Sequence, residues 1–160
     1  MNILHFKQGK LKFSAGHFTI FSATERETLH GHNYTIELTV AAEQSAPGIV
    51  FDYRFLEDKL FQLTRQLHLR CLIPQYSPYL MIEEEEKHYR ITFNHESMWL
   101  LKNDVVVLPI QNISLESLSQ WFVDQLKTDR DFLNRHLIKK IVLSVFNGPY
   151  NGGEAVLMSE

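Results

Sequence analysis

Residues 29–40 read Leu-His-Gly-His-Asn-Tyr-Thr-Ile-Glu-Leu-Thr-Val, and this stretch carries the main information on fold and site. From Tyr34 to Val40 apolar and polar side chains alternate, which is typical of a half-buried β-strand. His30 and His32 lie two residues apart, so in a strand their imidazoles point to the same face. Gly31 between them favours a close backbone approach or a bulge. Two histidines on one strand more often belong to an exposed polar face than to a metal site. The neighbouring residues must therefore distinguish these two interpretations.

A third histidine, His17, ends the segment Phe-Ser-Ala-Gly-His at residues 13–17. On a neighbouring strand its imidazole would complete a set of three ligands with His30 and His32. Three neutral nitrogen ligands with one open position are the arrangement that zinc uses in catalytic sites. The sequence therefore predicts a Zn²⁺ centre with room for a substrate or another ligand.

Composition excludes several classes of protein. The chain has 160 residues and a net charge of −3, without a basic cluster, which argues against a nucleic-acid partner. No apolar run is long enough to span a membrane and no signal segment begins the chain, so we expect a cytoplasmic protein without a membrane partner. Its length predicts a single domain over residues 1–160. The lone Cys71 reads as a small buried residue without a role.

Periodicity predicts two strands, a helix, a strand-rich segment, a second helix and two final strands. The predicted elements are a hairpin of residues 4–20 and 33–43, a helix from Tyr53 to His68 with Asp52 as its N-cap, a helix after the N-cap Ser114, and strands Ile138–Phe146 and Glu154–Met158. Between the helices, residues 89–93 and 99–101 predict a further hairpin. The four glutamates at 83–86 predict a solvated strand edge or loop.

Four motifs together resemble the 6-pyruvoyl-tetrahydropterin synthase and 6-carboxytetrahydropterin synthase family. They are the segments at 13–17 and 30–34, Gly48-Ile49-Val50-Phe51-Asp52-Tyr53 before the first helix, and Asn112-Ile113-Ser114-Leu115-Glu116 at the start of the second. The resemblance implies an α+β tunnelling fold (T-fold), in which a four-stranded antiparallel sheet carries two helices on one face. It also implies zinc bound by His17, His30 and His32, a pterin substrate, and a homo-oligomer that is a trimer or a dimer of trimers. Residues 76–109 would be an insertion relative to the shortest members.

The loop before His30 contains no cysteine, although the pyruvoyl- and carboxy-forming branches use one there as a general base. Glu27 stands three residues before His30, which is similar to a branch in which glutamate replaces that cysteine. That branch cleaves the side chain of dihydroneopterin triphosphate to give 6-hydroxymethyl-dihydropterin. The resemblance therefore implies that Glu27 is the catalytic acid/base. The alternative is that Glu27 is one acid among several in a charged loop.

Two further candidates depart from the family pattern, whereas Asn112 stands in a motif that matches it. The family ends its first helix with a Leu-Asp-His relay, whereas this chain has Leu67-His68-Leu69, so His68 is either the relay or a histidine that favours the helix C-terminus. The family's pterin-anchoring glutamate is absent from the matching strand, Val142–Asn147. Either Glu154 reaches the pocket from the next strand or the anchor is lost. Asn112 is a second candidate for substrate binding.

Three functions follow as hypotheses. The first is a zinc-dependent lyase of the pterin synthase type, with Glu27 as acid/base. The second is a non-catalytic zinc-binding relative that binds a heterocycle or a partner. The third is the 6-carboxytetrahydropterin synthase of queuosine synthesis, against which the missing cysteine argues.

Overall fold

The computed structural model describes residues 1–7 and 9–159, which form ten strands, three α-helices and one 3₁₀ turn. The strands are β1 Asn2–Phe6, β2 Lys12–His17, β3 His30–Ala42, β4 Arg70–Pro74, β5 Met81–Glu84, β6 His88–Phe93, β7 Glu96–Leu101, β8 Val105–Leu108, β9 Ile138–Phe146 and β10 Gly152–Met158. The helices are α1 Arg54–Leu67, α2 Leu115–Lys127 and the short α3 Arg130–Arg135, with the 3₁₀ turn at Lys102–Asp104.

Strand β3 is the centre of the main sheet. Its even-numbered residues from Tyr34 to Val40 are buried and face the helices, as the alternation predicts. β2 pairs antiparallel with its first half and β1 with its second half, while β9 lies along its other side. The predicted hairpin is therefore confirmed in its pairing, but residues 4–20 form two separate strands.

Both long helices pack on one face of this sheet. α1 presents the buried leucines 56, 60, 63 and 67, and α2 presents Leu118, Phe122 and Leu126 to β9 and β10. Full burial of each such side chain contributes about 1.5–3 kcal/mol relative to exposure. Ser114 caps α2 by accepting the Ser117 N–H, as predicted. At α1 the N-cap is Tyr53 rather than Asp52, although the Asp52 carboxylate accepts the Arg54 N–H.

The main sheet has seven strands rather than the four that the resemblance implied. Its order is β10-β9-β3-β2-β4-β8, and β1 also pairs with β3. β4 and β8 extend it through parallel ladders, which were not predicted. Short apolar runs such as Cys71-Leu72-Ile73 carry no period that separates strand from helix.

Residues 81–101 fold as a second sheet of three antiparallel strands in the order β5-β6-β7. The predicted hairpin is its β6–β7 part, and Glu83 and Glu84 lie on the exposed edge strand β5, as predicted. One side of this sheet packs on the segment that follows β2. The shared apolar cluster is Phe18, Ile20, Ile73, Ile91, Phe93 and Val105.

Among the described residues, no helix is long and apolar enough to cross a membrane.

Candidate metal centre

Three histidines converge on the helix-covered face of the sheet. His17 and His30 are directly opposite in the β2–β3 ladder, and His32 lies one pleat further along. Their ligand atoms all lie within 4.8 Å of one another. The predicted set is therefore brought together by strand register alone, since residues two apart on β3 share a face. Gly31 lies in regular register opposite Gly16, without a bulge.

Hydrogen bonds orient these rings. His17 Nδ1 lies 3.0 Å from the Ile113 carbonyl and His30 Nδ1 lies 2.7 Å from the Thr28 carbonyl, so each Nδ1–H donates and each Nε2 carries a lone pair. His17 Nε2 is buried and has no hydrogen-bond partner among the described residues. The Nε2 atoms of His30 and His32 are only 3.0 Å apart. His17 thus offers a buried Nε2 lone pair close to the Nε2 atoms of His30 and His32. A transition metal requires such a set of nitrogen donors, so these residues fit a metal ion.

Electrostatics favour the neutral form of these ligands. Burial lowers the pKa of His17, and the neighbouring His30 and His32 lower it further, although the Ile113 carbonyl and Glu27 act in the opposite direction. Burial and His30 likewise lower the pKa of His32. Because only neutral imidazole binds a metal, these shifts keep the ligands competent below their ordinary titration range.

Glu27 lies beside the histidines. It lines a pocket of about 230 Å³ together with His17, His32, Tyr34 and other residues. Its Oε2 accepts the Thr19 N–H at 2.8 Å, and its own N–H donates to the Thr19 carbonyl. Partial burial raises the pKa of Glu27, but the Thr19 hydrogen bonds and the nearby histidines outweigh it, so the pKa is lowered overall. The carboxylate is therefore ionised at neutral pH.

Asn112 is not among the residues that line this pocket. Its Oδ1 accepts the Ile20 and Ile113 N–H groups and its Nδ2 donates to the Ile20 carbonyl. Its amide group thus ties the segment after β2 to the start of α2. The structure shows this positioning contact, and a substrate contact of Asn112 stays a prediction.

Glu154 and His68 are not brought to this pocket. Glu154 pairs with Ser144 on the opposite face of the sheet, where its Oε1 accepts the Ser144 hydroxyl. His68 follows α1, and its Nδ1 accepts the Ser14 N–H. Neither residue is among those that line the pocket around Glu27.

The pocket contains polar groups that sequence reasoning did not single out. Glu116, in the first turn of α2, and Asn147, just after β9, both line it, as does Tyr34. Burial and the charge of Glu27 raise the pKa of Tyr34, so its hydroxyl stays protonated at neutral pH. Tyr34 is an even-numbered residue of β3, as are His30 and His32. Its position on the same face as these histidines could therefore be predicted from the sequence. The position of Asn147 depends on how the chain leaves β9.

An α+β protein whose sheet brings three histidines together beside an ionised carboxylate has the groups that metal-dependent enzymes use. The family can be stated more closely. A sequence model described as 6-pyruvoyl tetrahydropterin synthase matches residues 8–145, so the chain belongs to that family of pterin synthases. The fold is the T-fold, as the resemblance implied.

Solved structures from two malaria parasites are similar over the whole chain. A 6-pyruvoyltetrahydropterin synthase from Plasmodium vivax has a TM-score of 0.93 and 27% identity, covering 99% of this chain and 98% of the other. One from Plasmodium falciparum has a TM-score of 0.92 and 26% identity with the same coverage. A protein from Pyrococcus horikoshii, provisionally named 6-carboxy-5,6,7,8-tetrahydropterin synthase, is 21% identical over 93% of this chain and 88% of its own length.

Proposed function

We propose that this chain is a cytoplasmic, zinc-dependent lyase that cleaves the side chain of dihydroneopterin triphosphate or a related reduced pterin. The product would be 6-hydroxymethyl-dihydropterin. One observation carries the proposal: Glu27 lines one pocket with His17 and His32, and the ligand atoms of these histidines and of His30 lie within 4.8 Å of one another. A proton acceptor beside a metal centre is what side-chain cleavage by a retro-aldol reaction requires.

His17, His30 and His32 would hold the zinc ion through their Nε2 atoms. Zinc bound there would lower the pKa of a substrate hydroxyl and favour its ionised form. Glu27 would accept the hydroxyl proton as the neighbouring carbon–carbon bond breaks. The hydroxyl oxygen forms a carbonyl, so the triphosphate-bearing fragment leaves as an aldehyde. The electron pair of the broken bond passes to the carbon attached to the pterin ring, which then takes up a proton. The Glu27 carboxylate is ionised at neutral pH and so can accept that proton, although its lowered pKa makes it a weaker base.

Glu116 and Asn147 would bind the heterocycle in place of Glu154. A carboxylate and an amide together offer the acceptors and the donor that the edge of a pterin requires. Tyr34 adds a protonated hydroxyl on the same side. The pocket of one chain is smaller than the about 300–1,000 Å³ of typical ligand sites, so the triphosphate would extend beyond it.

The Plasmodium vivax structures support the role of a glutamate. Two of them are described as catalytic-residue mutants in which glutamate is replaced by alanine or by cysteine. A catalytic glutamate in a structurally similar synthase supports the assignment of Glu27 here.

Metal analysis combined with product analysis tests the proposal. The purified protein would contain about one zinc per chain, as expected from one three-histidine site. Incubation with dihydroneopterin triphosphate would yield 6-hydroxymethyl-dihydropterin by mass spectrometry, and Glu27→Gln would slow formation of that product by about 100-fold or more without removing the zinc. Zinc without any product would contradict the lyase and favour a non-catalytic relative.

A second candidate is 6-carboxytetrahydropterin synthase, because three curated archaeal relatives carry that name. That reaction would need a base in place of the family's cysteine. The chain's one cysteine, Cys71, does not line the Glu27 pocket, and burial raises the pKa of its thiol to about 11. A carboxy product in the same assay would nonetheless decide in favour of this reaction.

A relay role for His68 would require a neighbouring subunit. We propose a trimer or a dimer of trimers, since β10 ends the main sheet and leaves one side unpaired in the described chain. Mixing inactive Glu27→Gln and His68→Ala proteins, followed by refolding together, tests this arrangement. Recovery of activity would support a site shared between subunits, and no recovery would contradict it.

A further inference from the structure

Arg26 lies between two aromatic rings directly before Glu27. Its guanidinium carbon is 4.8 Å from the centroid of the Phe18 ring and 5.6 Å from that of Phe93. Its Nη1 donates to the Glu27 carbonyl at 2.7 Å. Planar guanidinium groups stack on aromatic faces and donate hydrogen bonds at their edges at the same time, which an ammonium group does less well.

Several hydrogen bonds also hold the segment between β2 and β3. Ile20 and Arg26 form an isolated antiparallel bridge, and Thr19 exchanges hydrogen bonds with Glu27. Asn112 binds Ile20 from the other side. The turn at residues 21–25 is held by hydrogen bonds to the Glu25 carbonyl and the Ser22 hydroxyl. The side chain of Arg26 adds a cation–π contact to the apolar packing of Phe18 and Ile20 that joins this segment to the three-stranded sheet.

That other sheet supplies one of the two rings. Phe93 ends strand β6 of the three-stranded sheet, and with Ile91 it packs against Phe18 and Ile20 in a shared apolar cluster. Any displacement of β6 would therefore change the surface on which Arg26 lies. Through the hydrogen bond to the Glu27 carbonyl, the change would reach the carboxylate.

We propose that Arg26 is a positioning residue for Glu27, and that the three-stranded sheet of residues 81–101 supplies its platform through Phe93. The inference rests on the proposed catalytic role of Glu27. It assigns a role in the reaction to a part of the chain that does not line the pocket.

The variant Arg26→Met tests the proposal, because methionine fills a similar volume but lacks the cation and the donors. We expect kcat to fall by about 10–100-fold, since a displacement of about 1 Å costs up to 100-fold. KM and zinc content should remain within twofold, because Arg26 touches neither the histidines nor the rest of the pocket. Arg26→Lys, which keeps the cation, should recover part of the loss. Unchanged kcat in Arg26→Met would overturn the proposal.

Arg90 offers a matched control in the same sheet. Its guanidinium carbon lies 5.5 Å from the Trp99 ring, and its Nη1 pairs with Glu83. This stack is on the side of the sheet opposite Phe93, as the strand register requires. Arg90→Met should therefore leave kcat within twofold. An equal loss in both variants would mean that the sheet is merely destabilised, which would also overturn the proposal.

A double-mutant comparison tests the contact with Phe93. If Arg26 acts through that ring, Phe93→Leu should lower kcat, and adding Arg26→Met should lower it much less than the two single effects multiplied. Fully multiplicative effects would show that the two residues act independently, against the proposed platform.

Hydrogen exchange separates this proposal from the proposed function. The amides of Phe21 and Glu27 are hydrogen-bonded within the segment, to the carbonyls of Glu25 and Thr19. We expect exchange across residues 18–29 to accelerate at least fivefold in zinc-loaded Arg26→Met and to stay unchanged in Arg90→Met. If the wild-type protein turns over no pterin, the lyase proposal fails, while this exchange still decides whether Arg26 holds the segment. Unchanged exchange would overturn the positioning role in either case.

Discussion

The two faces of the main sheet carry the same residue types with different consequences. On the helix-covered face, His17, His30 and His32 bring their ligand atoms together, and Glu27 lies beside them. On the other face, Glu154 accepts the Ser144 hydroxyl. An extended strand sends neighbouring side chains to opposite faces, so a shift of one residue moves a carboxylate from one environment to the other.

The comparison shows that strand parity decides which polar residues meet. His5 pairs with Thr39, an odd-numbered residue of β3, and therefore lies on the face opposite the even-numbered His30 and His32. Replacing His32 on the helix-covered face and His5 on the other face therefore tests what the helix-covered face contributes to metal binding.

The largest effect is expected from removing a metal ligand. His32→Ala should lose bound zinc during dialysis and lose all measurable turnover, because two imidazoles hold zinc far less tightly than three. The loss should exceed the about 10–100-fold that removal of an outer hydrogen-bond partner costs. Metal analysis by mass spectrometry measures it. His5→Ala, on the opposite face, should keep its zinc, and equal retention in both variants would show that these three histidines do not form the centre.

The next largest effect is expected from replacing Glu27, and Glu154 on the other face provides the comparison. Glu27→Gln keeps the shape and an acceptor for the Thr19 N–H but removes the base, so kcat should fall by about 100–10,000-fold at constant zinc content. Glu154→Gln should change kcat by less than twofold, since its side chain lies away from the pocket. Steady-state kinetics with dihydroneopterin triphosphate distinguish them. A large loss in Glu154→Gln would restore that residue as the pterin anchor.

Much of the site could be predicted because it depends on local rules. The two-residue spacing of His30 and His32 fixes their common face, and the hydroxyl of Ser114 identifies the start of α2. His17 follows from the pairing of β2 with β3. These features need only strand parity and helix capping, both of which are visible in short segments.

The remaining features depend on contacts between segments far apart in the chain. The parallel strands β4 and β8 are four or five residues long, and each is specified by its neighbour rather than by its own pattern. The side-chain amide of Asn112 pairs with the backbone of Ile20, 92 residues away in the chain, a contact that its own motif does not predict. Short-range patterns do not contain such pairings.

A smaller effect, on stability, is expected where strand β10 packs closely against the start of helix α2. Gly153 and Glu154 are neighbours on β10 and point to opposite faces. A Cβ on Gly153 would lie 2.7 Å from the carbonyl carbon of Leu115 and 2.9 Å from the amide nitrogen of Glu116, so Gly153→Ala must displace the start of α2. We expect a loss of about 1–3 kcal/mol of stability in urea unfolding. Glu154→Ala should cost less than about 1.5 kcal/mol, the value of one hydrogen bond. A stable Gly153→Ala protein would show that α2 can shift freely.

The smallest expected effect is the pH dependence of the metal-free protein. Burial lowers the pKa of His17 below the ordinary 6.5, so the unfolded chain binds a proton at a higher pH than the folded chain does. Stability should therefore decline as the pH falls from 6.5 through the lowered pKa, by at most about 1.4 kcal/mol per pH unit for this group. The pKa of Glu27 is lowered from an ordinary 4.5, so its titration affects stability only below that pH and not between pH 7.5 and pH 5.5.

Urea unfolding at pH 7.5 and at pH 5.5 measures the effect. His17→Asn should reduce the loss of unfolding free energy between these two pH values. His5→Asn serves as the control on the other face, and an equal flattening in both variants would contradict the role of burial at His17. Zinc should steepen the same dependence in the wild-type protein, because protons and metal compete for the same Nε2 atoms.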